Sequence, residues 1–428
     1  MKRRNHRGIT TGTVAMVLIS LVVVAGAVLL LHYLIDRHEL YRIADLTNRM
    51  VPDKIGSSVH APASAAPQTS TPEAASVIPV ATRIPERQLS PISLNFGGSV
   101  ALETSIRQSG YHKADATYDF SEILESVAPS MQGDLSVLFM ENLIAPGEKV
   151  SDLIAPAELA DMYVSGGADM ISMAFSKVLD LGLDGVHSTR MALESRGLDL
   201  AGACDQRLDS GPESRIHEVA GWKIAILSYV WELSRKGTKA SQDQEIEWSV
   251  STIQEAEDEI RQVRNLGADA VIVCVSWGTA GDTTPSSRQV QTAQRLVDTG
   301  ADLIVGAGSR RVQKAELLTA SDGRRVLCAY SLGALLCEST KTGAMESCIL
   351  HVKLSLDSSG RVQYEEIGYV PTFTWRQKIS GTTRYRVIPA NGEIPQGMNS
   401  EQKKKMANAL SRVTKQVGNA LASMAVKH

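Results

Sequence analysis

Between residues 92 and 330, short β-branched apolar runs take turns with longer amphipathic stretches. A chain patterned in this way buries its apolar faces only by stacking sheets against helices. The runs are Ile92–Phe96, Leu135–Met140, Met170–Met173, Lys223–Tyr229, Ala270–Val275, Leu303–Val305 and Val326–Tyr330. Helical stretches such as "STIQEAEDEIRQVRNLG" and "SSRQVQTAQRLVDTG" lie between several of them, each closing on a glycine just before a strand. Three hairpins are predicted at "HEVAGWKIAIL", "LLTASDGRRVLCAY" and "ILHVKLSLDSSGRVQYEEIGYV", whose turns carry Gly, Asp and Ser. The last is long and antiparallel, so the expected architecture is mixed. A further helix is predicted in the tail from Asn399, opening on an Asn or Ser cap. No internal repeat is visible.

The amino-terminal part reads differently. Lys2, Arg3, Arg4 and Arg7 precede an uncharged run from Gly8 to Ile35. About 20 apolar residues suffice to cross a bilayer as a helix, and the leading positive cluster places the amino terminus in the cytoplasm. A cleaved signal peptide ending at Ala25-Gly26-Ala27 fits less well, because "VLLLHYLI" continues the apolar run past that site. The expected organisation is a cytoplasmic basic tail (1–12), a transmembrane helix (13–35) and a stalk with an Ala/Ser/Pro-rich linker (36–90). An α/β domain (91–390) and a C-terminal helical tail (391–428) follow, the main domain lying outside the cell membrane. A net charge of -3, with no Lys/Arg stripe interleaved with aromatics, excludes a nucleic-acid partner. The five cysteines, Cys204, Cys274, Cys328, Cys337 and Cys348, form no C-x-x-C pair and read as small buried hydrophobes.

One stretch stands out at the carboxyl end of a predicted strand, where open α/β proteins place ligands. It is "LIVGAGSRRVQ", in which Gly306, Ala307 and Gly308 are followed by Ser309, Arg310 and Arg311. The surrounding block, "GADAVIVCVSWGTAGDTTPSSRQVQTAQRLVDTGADLIVGAGSRRVQKAELL" with "RRVLCAYSLGALL", resembles the CapA family of bacterial poly-γ-glutamate capsule synthesis proteins. Trp277, Gly278, Pro285, Gln289, Asp298, Gly300, Asp302, Gly306, Gln313, Tyr330, Ser331, Leu332 and Gly333 match in order, and the resemblance extends over about Ile92 to Pro389. It implies a calcineurin-like metallophosphoesterase fold: an α/β fold of layered mixed sheets flanked by helices, here preceded by the transmembrane helix.

The metal-binding side of that resemblance is missing. Where the family carries Gly-Asp after the first strand, this chain has Gly97-Gly98, and its Asn-Leu-Glu reads Phe139-Met140-Glu141. The family's Asn and His of the third motif are Ser176 and Lys177, although Asp180 and Gly182 persist. Its His-Trp-Gly reads Ser276-Trp277-Gly278, and its two later histidines are Gly308 and Arg310. A catalytic metal needs several converging N or O donors, and a protonated Lys or Arg has no lone pair to give. His187 is the nearest relocated donor and reads more simply as a surface or capping residue. Ser276 lies in no G-x-S-x-G elbow, and Ser331 belongs to the fold's own pattern. No catalytic residue, metal or cofactor is expected.

The substitutions have a direction, since an Asp and the metal-binding histidines are lost while the cations Lys177, Arg310 and Arg311 are gained. Arginine forks and exposed backbone N–H groups favour carboxylate or phosphate. The former active-site loops, Gly98, Glu141, Ser176, Lys177, Asp180, Ser276, Trp277, Gly308, Arg310 and Arg311, are therefore expected to line a ligand pocket. Its ligand would be an anionic envelope polymer, such as poly-γ-glutamate or a phosphate-bearing glycan. The competing expectation pairs these cations with Glu141, Asp180 or Glu316. The function that follows is a membrane-anchored, non-catalytic protein of capsule or related polymer synthesis or export, working with membrane-bound synthase components. The alternatives are a metal-dependent hydrolase with atypical ligands and an interaction scaffold with an inert pocket.

Overall fold

Along Ile92–Val100 (β1), Ile92, Leu94 and Phe96 enter one apolar layer, and Val100 enters another on the opposite face. Strict alternation would keep these even-numbered residues on one face; the bulge between Phe96 and Ser99 shifts it, so one strand serves two cores. The structure is a computed structural model that describes residues 89–202, 212–243, 253–339, 341–379 and 381–418. The predicted transmembrane helix, stalk and linker, and Cys204, lie outside the described residues. Among the described residues no helix is long and apolar enough to cross a membrane.

Two sheets carry the fold. In the first, β1 lies parallel to Leu135–Met140 (β2), followed by Met170–Ser172 (β3) and Asp199–Ala201 (β4), also parallel. On the other side of β1 the sheet continues antiparallel through Glu346–Leu356, Val362–Ile379 and Thr382–Pro389. The second sheet has a parallel centre of Trp222–Val230 (β5), Ala270–Ser276 (β6), Leu303–Ala307 (β7) and Arg325–Ala329 (β8). Antiparallel hairpin partners close it, Ile216–Val219 on one edge and Ala315–Thr319 on the other.

Apart from the short edge strand β4, whose Asp199 is exposed, the parallel strands are largely buried on both faces, which is why they read as nearly continuous apolar segments. Phe96, Val137 and Phe139 of the first sheet meet Ile224, Ile272, Cys274 and Val305 of the second. The other faces are covered by helices. Val271, Val273 and Val275 pack under Ile253–Asn265 (α1) and Ser287–Thr299 (α2), through Ile260, Val263, Leu296 and Val297. Leu138, Met140 and Ile171 pack under helices that supply Ile106, Leu124, Met162 and Leu193. The layer order is therefore helix, sheet, sheet, helix, and the mixed α/β expectation holds.

The helix Ser400–Val417 (α3) starts on Asn399, whose side chain accepts from the Gln402 N–H at 2.9 Å while Gln402 reaches back in a capping box. It packs on the first sheet, where Met406 and Ala409 meet Phe373 and Trp375. Arg412 makes a forked ion pair with Glu346, which is only 6% exposed. The sequence reading ended the last hairpin near Val370. The strand instead runs on to Ile379 and turns into Thr382–Pro389, whose half-polar pattern gave no strand signal.

Asp302, at the entry to β7, ties the second sheet together. Its carboxylate accepts the Val271 N–H at 2.9 Å and meets the guanidinium groups of Arg264 and Arg324. Since Asp302 is 3% exposed, Asp302→Ala strands two cations and one strand N–H. We expect a loss of about 3–5 kcal/mol of unfolding free energy by chemical denaturation, with Asp302→Asn losing distinctly less.

Candidate functional site

Gly306, in β7, lies under a bond between two neighbouring segments. The Trp277 indole N–H donates to the Tyr330 carbonyl at 2.7 Å, and the two rings stack with centroids 6.0 Å apart. A Cβ on Gly306 would run into both the carbonyl oxygen and the indole nitrogen. One residue on, the Trp277 N–H donates to Ala307 O at 3.0 Å. Gln289 caps α2 through the Ser286 N–H and donates to the buried Gln313 at 3.0 Å. Ser309, fully buried, bonds the Arg311 carbonyl at 2.8 Å and the Ser331 hydroxyl at 3.0 Å. The residues that carry the family resemblance thus fix loop positions at the carboxyl ends of β6, β7 and β8.

Beside this framework opens a cleft of about 740 Å³, lined by segments that follow strands of both sheets. Of the sequence-predicted set, Glu141, Ser176, Lys177, Ser276, Trp277, Gly308 and Arg310 line it. Three do not. Gly98 sits in the β1 bulge, where a Cβ would overlap the Gly333 carbonyl and the Ser347 hydroxyl. Asp180 accepts from the Ser234 hydroxyl and, with the Ser176 carbonyl accepting the Ser234 N–H at 2.6 Å, pins the neighbouring loop. Arg311 turns away from the cleft and lies over Gly343.

Arg310 decides the electrostatics. Its φ of 55° is left-handed, a conformation unusual for a long side chain. In it the guanidinium reaches Glu141, with Nε donating to Oε2 at 2.6 Å, and Glu103, with Nη1 donating to Oε1 at 3.0 Å. Glu103 also accepts the Glu338 N–H at 2.5 Å. Burial works against the charge, but Glu141 and Glu103 outweigh it and raise the Arg310 pKa above the ordinary guanidinium value. Of the two expectations for Arg310, pairing with Glu141 is the one its geometry meets, and Glu103 adds a second carboxylate. Lys177, exposed on the cleft wall, makes no ion pair among the described residues.

The residues present do not fit a metallophosphoesterase metal centre. Glu141 is bonded to a guanidinium and Asp180 to Ser234, while Gly98 has no room for a carboxylate. No group of three His, Cys, Asp or Glu side chains converges among the described residues. His187 lies within Gly182–Glu194 and does not line the cleft. Cys274, Cys328, Cys337 and Cys348 are all buried, and burial pushes the Cys274, Cys337 and Cys348 thiols up to about 12.

Sequence reasoning missed several residues. Glu103 lies 207 positions from its partner Arg310, and no local pattern announces the pair. Trp231 and Glu232 follow β5, and Arg288 stands in the first turn of α2. The Arg288 guanidinium lies 5.0 Å from the Trp231 ring centre and 3.1 Å from Glu232. A Trp-Glu pair just past an apolar strand was the available signal for that wall.

Arg310→Met leaves Glu141 and Glu103 facing each other without a counter-charge. Solvent reaches the guanidinium (37% exposed), so the cost falls below that of a fully buried pair, at about 2 kcal/mol. We expect that loss in urea unfolding, with Arg310→Lys recovering part of it because an ammonium cannot fork to both carboxylates.

The chain is similar to the PGA biosynthesis protein CapA of Bacillus subtilis, 23% identical over 285 residues covering 64% of this chain and 71% of that one. It is also similar to the capsule biosynthesis protein CapA of Bacillus anthracis, 24% identical over 210 residues. That match covers 48% of this chain and about half of the relative, 49%. Among solved structures, a 5'-nucleotidase precursor from Thermus thermophilus aligns at 11% identity and a TM-score of 0.39, covering 76% of this chain and 59% of that one. The family described as bacterial capsule synthesis protein PGA_cap matches residues 93–339, more than half of the chain, and the chain belongs to that family.

Proposed function

We propose that this chain is a membrane-anchored, non-catalytic capsule protein that holds a segment of an anionic envelope polymer, such as poly-γ-glutamate, during its synthesis or export. The observation that carries the reading is the Arg310 guanidinium bonded to Glu141 and Glu103. It sets a fixed internal counter-charge at the cleft where the resembled family places a histidine. A guanidinium has no lone pair with which to hold a metal ion or accept a proton, which supports a cleft that keeps shape and hydrogen-bonding capacity without a metal-dependent hydrolytic centre. The helix–sheet–sheet–helix order supports the calcineurin-like metallophosphoesterase ancestry of the fold. The run from Gly8 to Ile35 supports the single-pass anchor, and membrane-bound synthase components are the partners such a location favours.

The cleft suits a chain that carries both charge and amides. Lys177 offers a cation to carboxylates, Arg288 can do so by exchanging its solvent-screened bond to Glu232, and Ser176, Ser276 and Thr279 offer hydroxyls to amide groups. Trp231 adds an aromatic surface beside Arg288.

Two measurements on the full chain test the proposal. Elemental analysis with a phosphodiester assay should find no stoichiometric metal and no turnover, and a tightly held metal with turnover rejects the non-catalytic reading. A short poly-γ-glutamate oligomer of about five residues should quench Trp231, the signal vanishing in Trp231→Phe. Lys177→Ala with Arg288→Ala should weaken binding about tenfold, the scale of two solvent-screened charge contacts. Undiminished affinity in that double variant would remove the cleft from the proposal.

A further inference from the structure

A second depression runs along α3, and its charge is unlike that of the rest of the molecule. Two adjoining pockets of about 480 and 230 Å³ share Gly343, Glu346 and Arg412. Together they are lined by six cations and two carboxylates, in a chain whose net charge is -3. Both carboxylates are already engaged, Glu346 by Arg412 and Glu401 by Lys405 at 2.6 Å. The remaining four cations, Arg311, Lys341, Arg376 and Lys415, have no carboxylate partner among the described residues. Unpaired like charges collected in one groove repel each other, and an anionic occupant relieves that cost.

Two further features point to a ligand. Trp375, 2% exposed and lining the larger pocket, keeps its indole N–H without an acceptor among the described residues. A buried donor left unpaired costs about 1–3 kcal/mol unless a ligand or water satisfies it. The second feature is Gly343, at φ 75°, where a Cβ would collide with the Arg311 guanidinium. A bare backbone at that position is what lets Arg311 lie in the groove rather than in the cleft.

We propose that this groove along α3 is a binding track for a linear polycarboxylate, separate from the cleft. The four free cations come from four different segments: the loop after β7, the loop before Glu346, the strand Val362–Ile379 and α3 itself. Cations spread in this way suit single negative charges repeated along a chain. A phosphate group favours donors converging on one point. The proposal takes from the preceding section only that the protein handles an anionic polymer, and its site shares no residue with the cleft.

The test uses the full chain with two probes, poly-γ-glutamate of about 20 residues and polyphosphate of similar length. Affinity is read by fluorescence anisotropy, and contact by hydrogen exchange over residues 400–417. Two independent pairs, Arg311→Gln with Lys415→Gln and Lys341→Gln with Arg376→Gln, guard against a folding failure in either one, which thermal unfolding detects. Each folded pair should weaken poly-γ-glutamate about tenfold while the quenching of Trp231 by the short oligomer persists. The polymer should also protect residues 400–417. Unchanged affinity in both folded pairs overturns the groove. So does complete loss of binding in Lys177→Ala with Arg288→Ala, which instead leaves the cleft as the whole site. Tighter binding of polyphosphate, lost in the same variants, overturns the carboxylate assignment. If the groove pairs lose affinity and the cleft pair does not, the cleft reading fails and the groove stands.

Discussion

At Gly306 the backbone passes so close beneath the Trp277–Tyr330 bond that no side chain fits, and the geometry of the cleft follows from that crossing. The indole holds the segment after β6 against the segment after β8, with β7 between them. Once the three are fixed, Gln289 and Gln313 meet and Ser309 bonds Ser331, so the Gly308–Arg311 loop has little freedom left. These contacts need an indole donor, a bare glycine and two amides, and they need no metal. The fold can therefore keep its architecture while the chemistry of its loops changes.

At the cleft the charge balance is set by a guanidinium. Two carboxylates near one another on half-buried loops require a cation, and Arg310 supplies it within the chain. The arrangement ties the segments after β1 and β2 to the loop after β7, so one side chain gives both neutralisation and a cross-link between the two sheets.

Most of the secondary structure was legible in the sequence because it depends on short-range rules. Strands buried on both faces read as apolar runs, helix ends carry glycine, and hairpin turns carry Gly, Asp and Ser. The strand Thr382–Pro389 escaped because its burial alternates only partly and its partner Val362–Ile379 supplies much of the apolar contact. At the site, Glu141, Ser176, Lys177, Ser276, Trp277, Gly308 and Arg310 were found through their places in a motif. Glu103 was not, since its role exists only through Arg310, which is distant in sequence. Asp180 was placed in the pocket because it follows the same motif, yet Ser234 reaches it first. Local spacing records which loop a residue belongs to, and long-range partners decide where its side chain points.

The adjacent arginines bring these points together. In extended backbone, neighbouring side chains leave on opposite faces, but a turn can redirect either one. Here the left-handed φ of Arg310 sends its guanidinium between Glu141 and Glu103, and the absence of a side chain at Gly343 lets Arg311 settle on the far side of the loop. One cation is consumed by the cleft and the other is released from it. A residue count at the loop would assign both charges to the same anion site. The backbone divides them, and the charge left unpaired accumulates beside α3, where Lys415 and Arg376 add to it. The unpaired charge thus lies partly where the motif places it, at Lys177, and partly beside α3, where no motif announces it.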